Sequence, residues 1–266
     1  VAAIAIPLAT VLGTILGLAR LFAPSPVAKA VAAYIEIFRN TPVLLQLFVW
    51  YGLLLQLPAA RNALHPLPGV YLSNRGLTLP AVEQGGFWLL AAGVTLAGTL
   101  FIWRRRPKHR AAWLAALAAI AVAVLVLLPA PSLGFAEQRG LSLAGGLTLS
   151  PELAALTFGL IVFHGAYVAE IVRAAVLSVP IGQIEAASAL GLRRIPLGLL
   201  IVAPGAARIA LPPLANQYLQ LIKNSSLAVA IGYPDLMAVI NTTINQTGQA
   251  IEASSLALGI YLLVSL

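Results

Sequence analysis

Few residues in this chain could do chemistry, and their spacing excludes most enzymes. Lysine occurs at Lys29, Lys108 and Lys223, and none follows a glycine, so the Gly-Lys-Ser/Thr run that cradles nucleotide phosphates is absent. The chain therefore cannot itself be an ATPase. His65, His109 and His164 are scattered without a ligand spacing, so no metal site is read. No serine sits in a Gly-x-Ser-x-Gly elbow, and cysteine is absent, which removes two routes to a covalent nucleophile.

What remains is polar recognition rather than covalent catalysis. Lys223, Asn224, Ser225 and Ser226 follow a long apolar segment. Their donors and acceptors could hold an ammonium and a carboxylate together, and polar groups at membrane depth usually face a cavity or a partner. An ordinary helix end outside the membrane is the other reading, and it stays open. A second group is Glu36, Arg39, Asn40, Thr41 and Pro42. Glu36 and Arg39 are three apart and could pair on one helical face, while Pro42 disfavours helix at Thr41. This is either a gate or a kinked interfacial helix with a structural role. Glu170 and Arg173, also three apart, could pair together or with a partner.

The third group organises the rest. Between Ser178 and Leu214 a polar, helix-forming stretch interrupts two apolar segments. Pro180 and Gly182 break the preceding segment, Glu185 to Leu190 are mostly helix formers, and Gly191 can take the left-handed conformation that ends a helix. Arg193 and Arg194 follow, and Pro196 suits the first turn of a new helix. The alanines, Ala186, Ala187 and Ala189, keep the short helix thin enough for another surface to approach. From the residues alone, a docking helix and a plain amphipathic loop both fit.

These groups need elements to hold them. The 266 residues are 60% hydrophobic and 9% charged, against about 45–50% and 25% in soluble domains. The excess lies in segments of spanning length, about 20 residues each. They run from about Ala2 to Phe22, Val43 to Leu57, Phe87 to Trp103, Ala111 to Leu128, Glu152 to Leu177, Leu197 to Ile222 and from about Ile251 onward. The predicted fold is all-α, a polytopic transmembrane helical bundle, with no strand alternation to suggest a barrel. Gly13 and Gly17 form a small-xxx-small pair that permits close helix packing. Pro204, Pro212 and Pro213 are expected to break the sixth segment, and Pro58–Gly86 and Pro129–Pro151 read as loops. A polar run from Asn241 to Gln249 precedes the last segment.

The net charge of +8 is gathered at segment ends. That sets orientation rather than recruiting nucleic acid. Arg104 to Arg110 holds five basic side chains of arginine or lysine and marks the cytoplasmic side. Counting segments from there puts both the Arg20–Lys29 loop and the Gln183–Ile195 stretch in the cytoplasm, and the two long loops outside. The first segment lacks the basic n-region of a signal peptide. A start at Val1 and a stop within an apolar run predict a domain excised from a longer protein.

Spaced elements over about fifty residues resemble the membrane subunits of ATP-binding-cassette importers. They are Glu185-Ala186-Ala187, Gly191 and Ile209-Ala210-Leu211-Pro212. His164-Gly165-Ala166-Tyr167-Val168-Ala169-Glu170-Ile171 with Arg173, Val179-Pro180 and Gly182-Gln183 is similar to the polar amino-acid uptake branch, as is Tyr34-x-Glu36-x-Phe38-Arg39-Asn40-Thr41-Pro42. The two segments at about 80–130 depart from shorter relatives and resemble the longer subunits of general L-amino-acid permeases.

The resemblance implies one membrane permease domain over 1–266, with a five-span core, a two-span insertion and a coupling loop at about 178–196. It implies that Gly182, Gln183, Glu185, Ala186, Ala187, Gly191, Arg193 and Arg194 meet a cytoplasmic ATP-binding subunit, with ATP bound by that partner and no cofactor on this chain. A second permease subunit, identical or paralogous, and a periplasmic amino-acid-binding protein complete the expected assembly in the bacterial inner membrane. Near the matching Lys-Asp/Asn-Ser/Thr-Ser stretch, relatives often carry aspartate where Asn224 stands. Alternatives are an ion-gradient-driven secondary transporter of small polar solutes, which should show inverted repeats and acidic residues within spans, and a membrane anchor without transport.

Overall fold

The computed structural model describes residues 1–83, 132–139 and 142–265. The expected segments at Phe87–Trp103 and Ala111–Leu128, with the basic run between them, lie outside the described residues. The chain divides into two compact units, Val1–Gln56 with Ser150–Leu266, and Leu57–Leu149.

The first unit is helical. It holds α1 (Ala2–Phe22), α2 (Ser25–Asn40), α3 (Val43–Leu55), α4 (Pro151–Leu177), α5 (Ile181–Ala189), α6 (Arg194–Leu197), α7 (Ala203–Asn224), α8 (Leu236–Thr247) and α9 (Ala250–Ser265). Among the described residues three helices are long and apolar enough to cross a membrane: Ala2–Phe22, Pro151–Leu177 and the continuous run Arg194–Ile231. At about 1.5 Å per residue, the 13-residue α3 reaches only about 20 Å, short of a hydrocarbon core of about 30 Å.

α4 is the axis. Ser150 caps it, accepting a hydrogen bond from the Leu153 N–H, and Pro151 fills the first turn. α1 runs parallel to it at very short range. A Cβ added at Gly13 would sit 2.5 Å from Val168 Cβ and 2.7 Å from the Gly165 carbonyl oxygen, and one at Gly17 would sit 2.5 Å from the Ala169 carbonyl oxygen. Ala9 and Ala5, four and eight residues before Gly13, are fully buried on the same stripe. Lipid tails are as apolar as leucine, so such helices are held by close contact rather than by escape from water. The Gly13–Gly17 pair is therefore an internal packing device.

α7 runs antiparallel to α4. Val179 and Ala175 near the C-terminal end of α4 meet Ala206 and Ala210, and at the other end Leu156 and Leu160 share a core with Leu221, Ala228 and Ile231. Pro212 and Pro213 lie inside α7 without breaking it, contrary to the reading from sequence. Prolines are tolerated within membrane helices because local register changes and neighbouring groups re-satisfy the freed carbonyls. One such change is visible: Gly198–Val202 is a π-helical turn, the Ala203 N–H bonding to the Gly198 carbonyl just before Pro204.

The second unit corrects the all-α expectation. Leu64–Leu67, Val70–Ser73, Gly76–Leu79, Ala81–Glu83, Ser132–Gly134, Glu137–Arg139, Ser142–Ala144 and Leu147–Leu149 are strands β1 to β8. The main sheet is antiparallel in the order β1-β2-β3-β8, with β4 paired to β5 and β6 to β7. The Thr78 and Thr148 hydroxyls lie 3.2 Å apart across the β3–β8 register. Strands of three or four residues are too short to show a readable alternation, and Pro66 within β1 disguises it further. The chain remains mostly helical.

Candidate functional site

Three polar clusters hang on α4, and together they take in most of the residues singled out from sequence. The first is the turn after its C-terminal end. α5 spans Ile181–Ala189, Gly191 takes φ 79°, and the Leu192 N–H reaches back to the Ala187 carbonyl, closing the helix as the residue types require. Val179 and Ile184 anchor the turn on Ala206, Ala210 and Val202. Ala187 is buried. Gly182, Gln183, Glu185, Ala186, Gly191, Arg193 and Arg194 are exposed, and an added Cβ at Gly182 or Gly191 would meet nothing within 4 Å. Beside them stand bare apolar side chains: Leu190 is 84% exposed, Ile195 75% and Ile181 72%. The turn is thus tied to two long helices on one side and offers a thin, partly apolar face on the other.

The second cluster surrounds Glu170. Arg20 of α1 donates to it at 2.7 Å, and Arg173 one turn on donates from Nη2 at 2.5 Å. Arg39 does not pair with Glu36. Its guanidinium lies over the Tyr167 ring at 5.2 Å, and its carbonyl accepts the Tyr167 hydroxyl at 3.3 Å. The α1 end, the α2 end and the last third of α4 are gathered at one level, which places the α1–α2 turn and α5 at the same end of the helical unit. Thr41 is extended, φ −106° and ψ 137°, as its position before Pro42 demands. Asn40 and Glu36 are exposed.

Sequence reasoning missed the residue that stitches this break. Gln46 is buried, and its amide nitrogen reaches the Phe38 carbonyl at 3.0 Å, the Thr41 carbonyl at 3.1 Å and the Thr41 hydroxyl at 2.6 Å. A lone glutamine within the apolar run Val43–Leu55 was the available signal. Its Oε1 and the Trp50 indole N–H are buried without partners.

The third cluster is at mid-length of α4. His164 is 1% exposed. Its Nδ1 lies 2.6 Å from the Gln217 amide nitrogen and its Nε2 lies 3.2 Å from the Asn224 amide nitrogen, both on α7. Thr10 and Tyr218 hydroxyls meet at 2.8 Å nearby in sequence, linking α1 to the same helix. Ser225 and Ser226 donate to the Ile222 and Lys223 carbonyls, each at 2.7 Å. Lys223 is exposed. Of the four residues expected along a substrate path, only Asn224 is drawn into an inter-helical network, and it brings His164 and Gln217 with it.

Comparisons with known proteins bear on what this arrangement serves. No family model matches the chain. Putative amino-acid ABC transporter permease protein YhdX of Escherichia coli is 42% identical, with all of this chain aligned. General L-amino acid transport system permease protein AapQ of Rhizobium johnstonii is 39% identical over 92% of the chain. The chain spans 72% and 65% of the lengths of these two relatives. The crystal structure of an amino acid ABC transporter with histidines superposes with TM-score 0.60 at 20% identity, covering 99% of this chain and 82% of that one, which speaks for the fold alone.

Proposed function

Because this chain belongs to the amino-acid ABC transporter permeases, we propose that it forms half of an ATP-driven path for polar amino acids through the bacterial inner membrane. Its core has five spans, the second built on the apolar run from Val43, and the sequence at about 80–130 is expected to add two more. One observation carries the coupling part of this reading: a short helix with exposed glycine, alanine and leucine, held against the ends of two long helices by Val179 and Ile184.

Gly182, Gln183, Glu185, Ala186, Ala187, Gly191, Arg193 and Arg194 form the contact for a cytoplasmic ATP-binding subunit. ATP is bound there and not on this chain. When the ATPases close, α5 is displaced, and its anchors pass the displacement to the ends of α4 and α7. Two permease subunits, identical or paralogous, then tilt as rigid bodies between inward- and outward-facing states. A periplasmic binding protein delivers the substrate. Lys223, Asn224, Ser225 and Ser226 lie along the path, and Glu36, Arg39, Asn40, Thr41 and Pro42 shape a kink that opens or closes beside it.

Uptake by the intact protein in proteoliposomes, with and without its ATPase subunits, tests this. Transport should require both ATP and those subunits; uptake driven by an ion gradient alone would contradict it. In the same assay Asn224→Asp should raise the preference for arginine over glutamate. A charged partner adds roughly 1–2 kcal/mol over a neutral one, so the ratio should move about tenfold. An unchanged ratio would remove Asn224 from the substrate path.

A further inference from the structure

Both ring nitrogens of His164 are engaged by amide side chains, Gln217 at Nδ1 and Asn224 at Nε2. Among the described residues no carboxylate is hydrogen-bonded to the ring, and it is almost wholly enclosed. A charge there would be costly, so the ring is neutral imidazole, with one N–H and one lone pair. It therefore cannot accept from both amides. One must turn its oxygen toward the ring.

Only two arrangements satisfy all three groups. In the first, Gln217 donates to Nδ1, the Nε2–H donates to Asn224 Oδ1, and the Asn224 NH₂ is left as a donor for a ligand. In the second, the Nδ1–H donates to Gln217 Oε1, Asn224 donates through one N–H to Nε2, and Asn224 Oδ1 is left as an acceptor. The state of Gln217 fixes the state of Asn224 through the ring. We propose that His164 is a positioning residue whose tautomer, set by Gln217, decides whether Asn224 offers the substrate a hydrogen-bond donor or an acceptor. This rests on the reading of Asn224 as a substrate contact.

The consequence is a specificity control one residue removed from the ligand. A donor at Asn224 favours a carboxylate, and an acceptor favours an ammonium or guanidinium. Gln217→Met supplies a neutral, unbranched side chain that can accept weakly through its sulfur and cannot donate. It leaves Nδ1 without a donor, so the proton rests on Nδ1 and the oxygen of Asn224 is left free.

The test is competitive ATP-driven uptake of arginine against glutamate by the intact transporter. Gln217→Met should raise the arginine-to-glutamate ratio about tenfold, the value of one exchanged hydrogen bond. With His164→Leu added, the rise should vanish. A rise that survives loss of the ring would come from the methionine itself and would overturn the relay. So would an unchanged ratio in Gln217→Met when Asn224→Ala alters it. If Asn224→Ala alters nothing, the substrate-contact reading fails instead. Should the variants not assemble, the imidazole ¹⁵N shifts of the unaltered protein still decide. One neutral tautomer is expected at His164, and a ring protonated on both nitrogens would refute the proposal.

Discussion

Leu190→Asp should weaken attachment of the ATP-binding subunits about a hundredfold and take ATP-driven uptake down with it. The leucine sits at the C-terminal end of α5 and is 84% exposed, beside the likewise bare Ile181 and Ile195. Burying a leucine against a partner contributes about 1.5–3 kcal/mol, and a carboxylate forced into the same contact adds a desolvation penalty. Each 1.4 kcal/mol is about tenfold in affinity. Because Leu190 makes little contact within its own chain, the variant should fold and insert as the parent does. Co-purification of the ATPases against purified permease, together with substrate-stimulated ATP hydrolysis, reads the effect. Retention of full coupling by Leu190→Asp would show that this face docks nothing.

Gly13→Leu should disassemble the helical unit itself. The added Cβ would fall 2.5 Å from Val168 Cβ and 2.7 Å from a backbone carbonyl, Gly165 O, which cannot rotate away. Overpacking in a core costs about 1–3 kcal/mol, and here the obstacle includes main chain, so α1 must back away from α4 along its length. The Arg20–Glu170 bridge and the Thr10–Tyr218 contact lie on the same helix and go with it. The detergent-solubilised protein should lose several degrees of thermal midpoint and much of its monodisperse yield. Gly52→Leu is the control: nothing lies within 4 Å of its added Cβ, and a surface change of that kind should stay within about 0.5 kcal/mol. Equal stability of the two variants would contradict the α1–α4 packing.

Local pattern carried much of this. Pro180, the alanines after Glu185 and Gly191 specify a short helix and its stop within fourteen residues, and the structure ends the helix where the glycine allows. Gly13 and Gly17 announce a close approach, although not to which helix. The failures are of two kinds. Relations across long sequence separations have no local signature: Glu170 collects Arg20 from 150 residues away, and Gln217 meets His164 across 53. Elements too short to be periodic are equally hidden, which is why a sheet of three- and four-residue strands passed as loop. Pro212 and Pro213 misled because the rule that proline breaks helices is a rule about water-exposed backbone.

The central claim is that α5 lies against a nucleotide-hydrolysing partner and transmits its motion. This chain has no cysteine, so a single cysteine at the exposed Ala186 gives an unambiguous probe. In membranes holding the intact transporter, a short bifunctional crosslinker at that cysteine should capture the ATP-binding subunit, with a yield that changes between the ATP-bound and nucleotide-free states. An active transporter in which Ala186 never captures that subunit, or captures it identically in both states, would contradict the account.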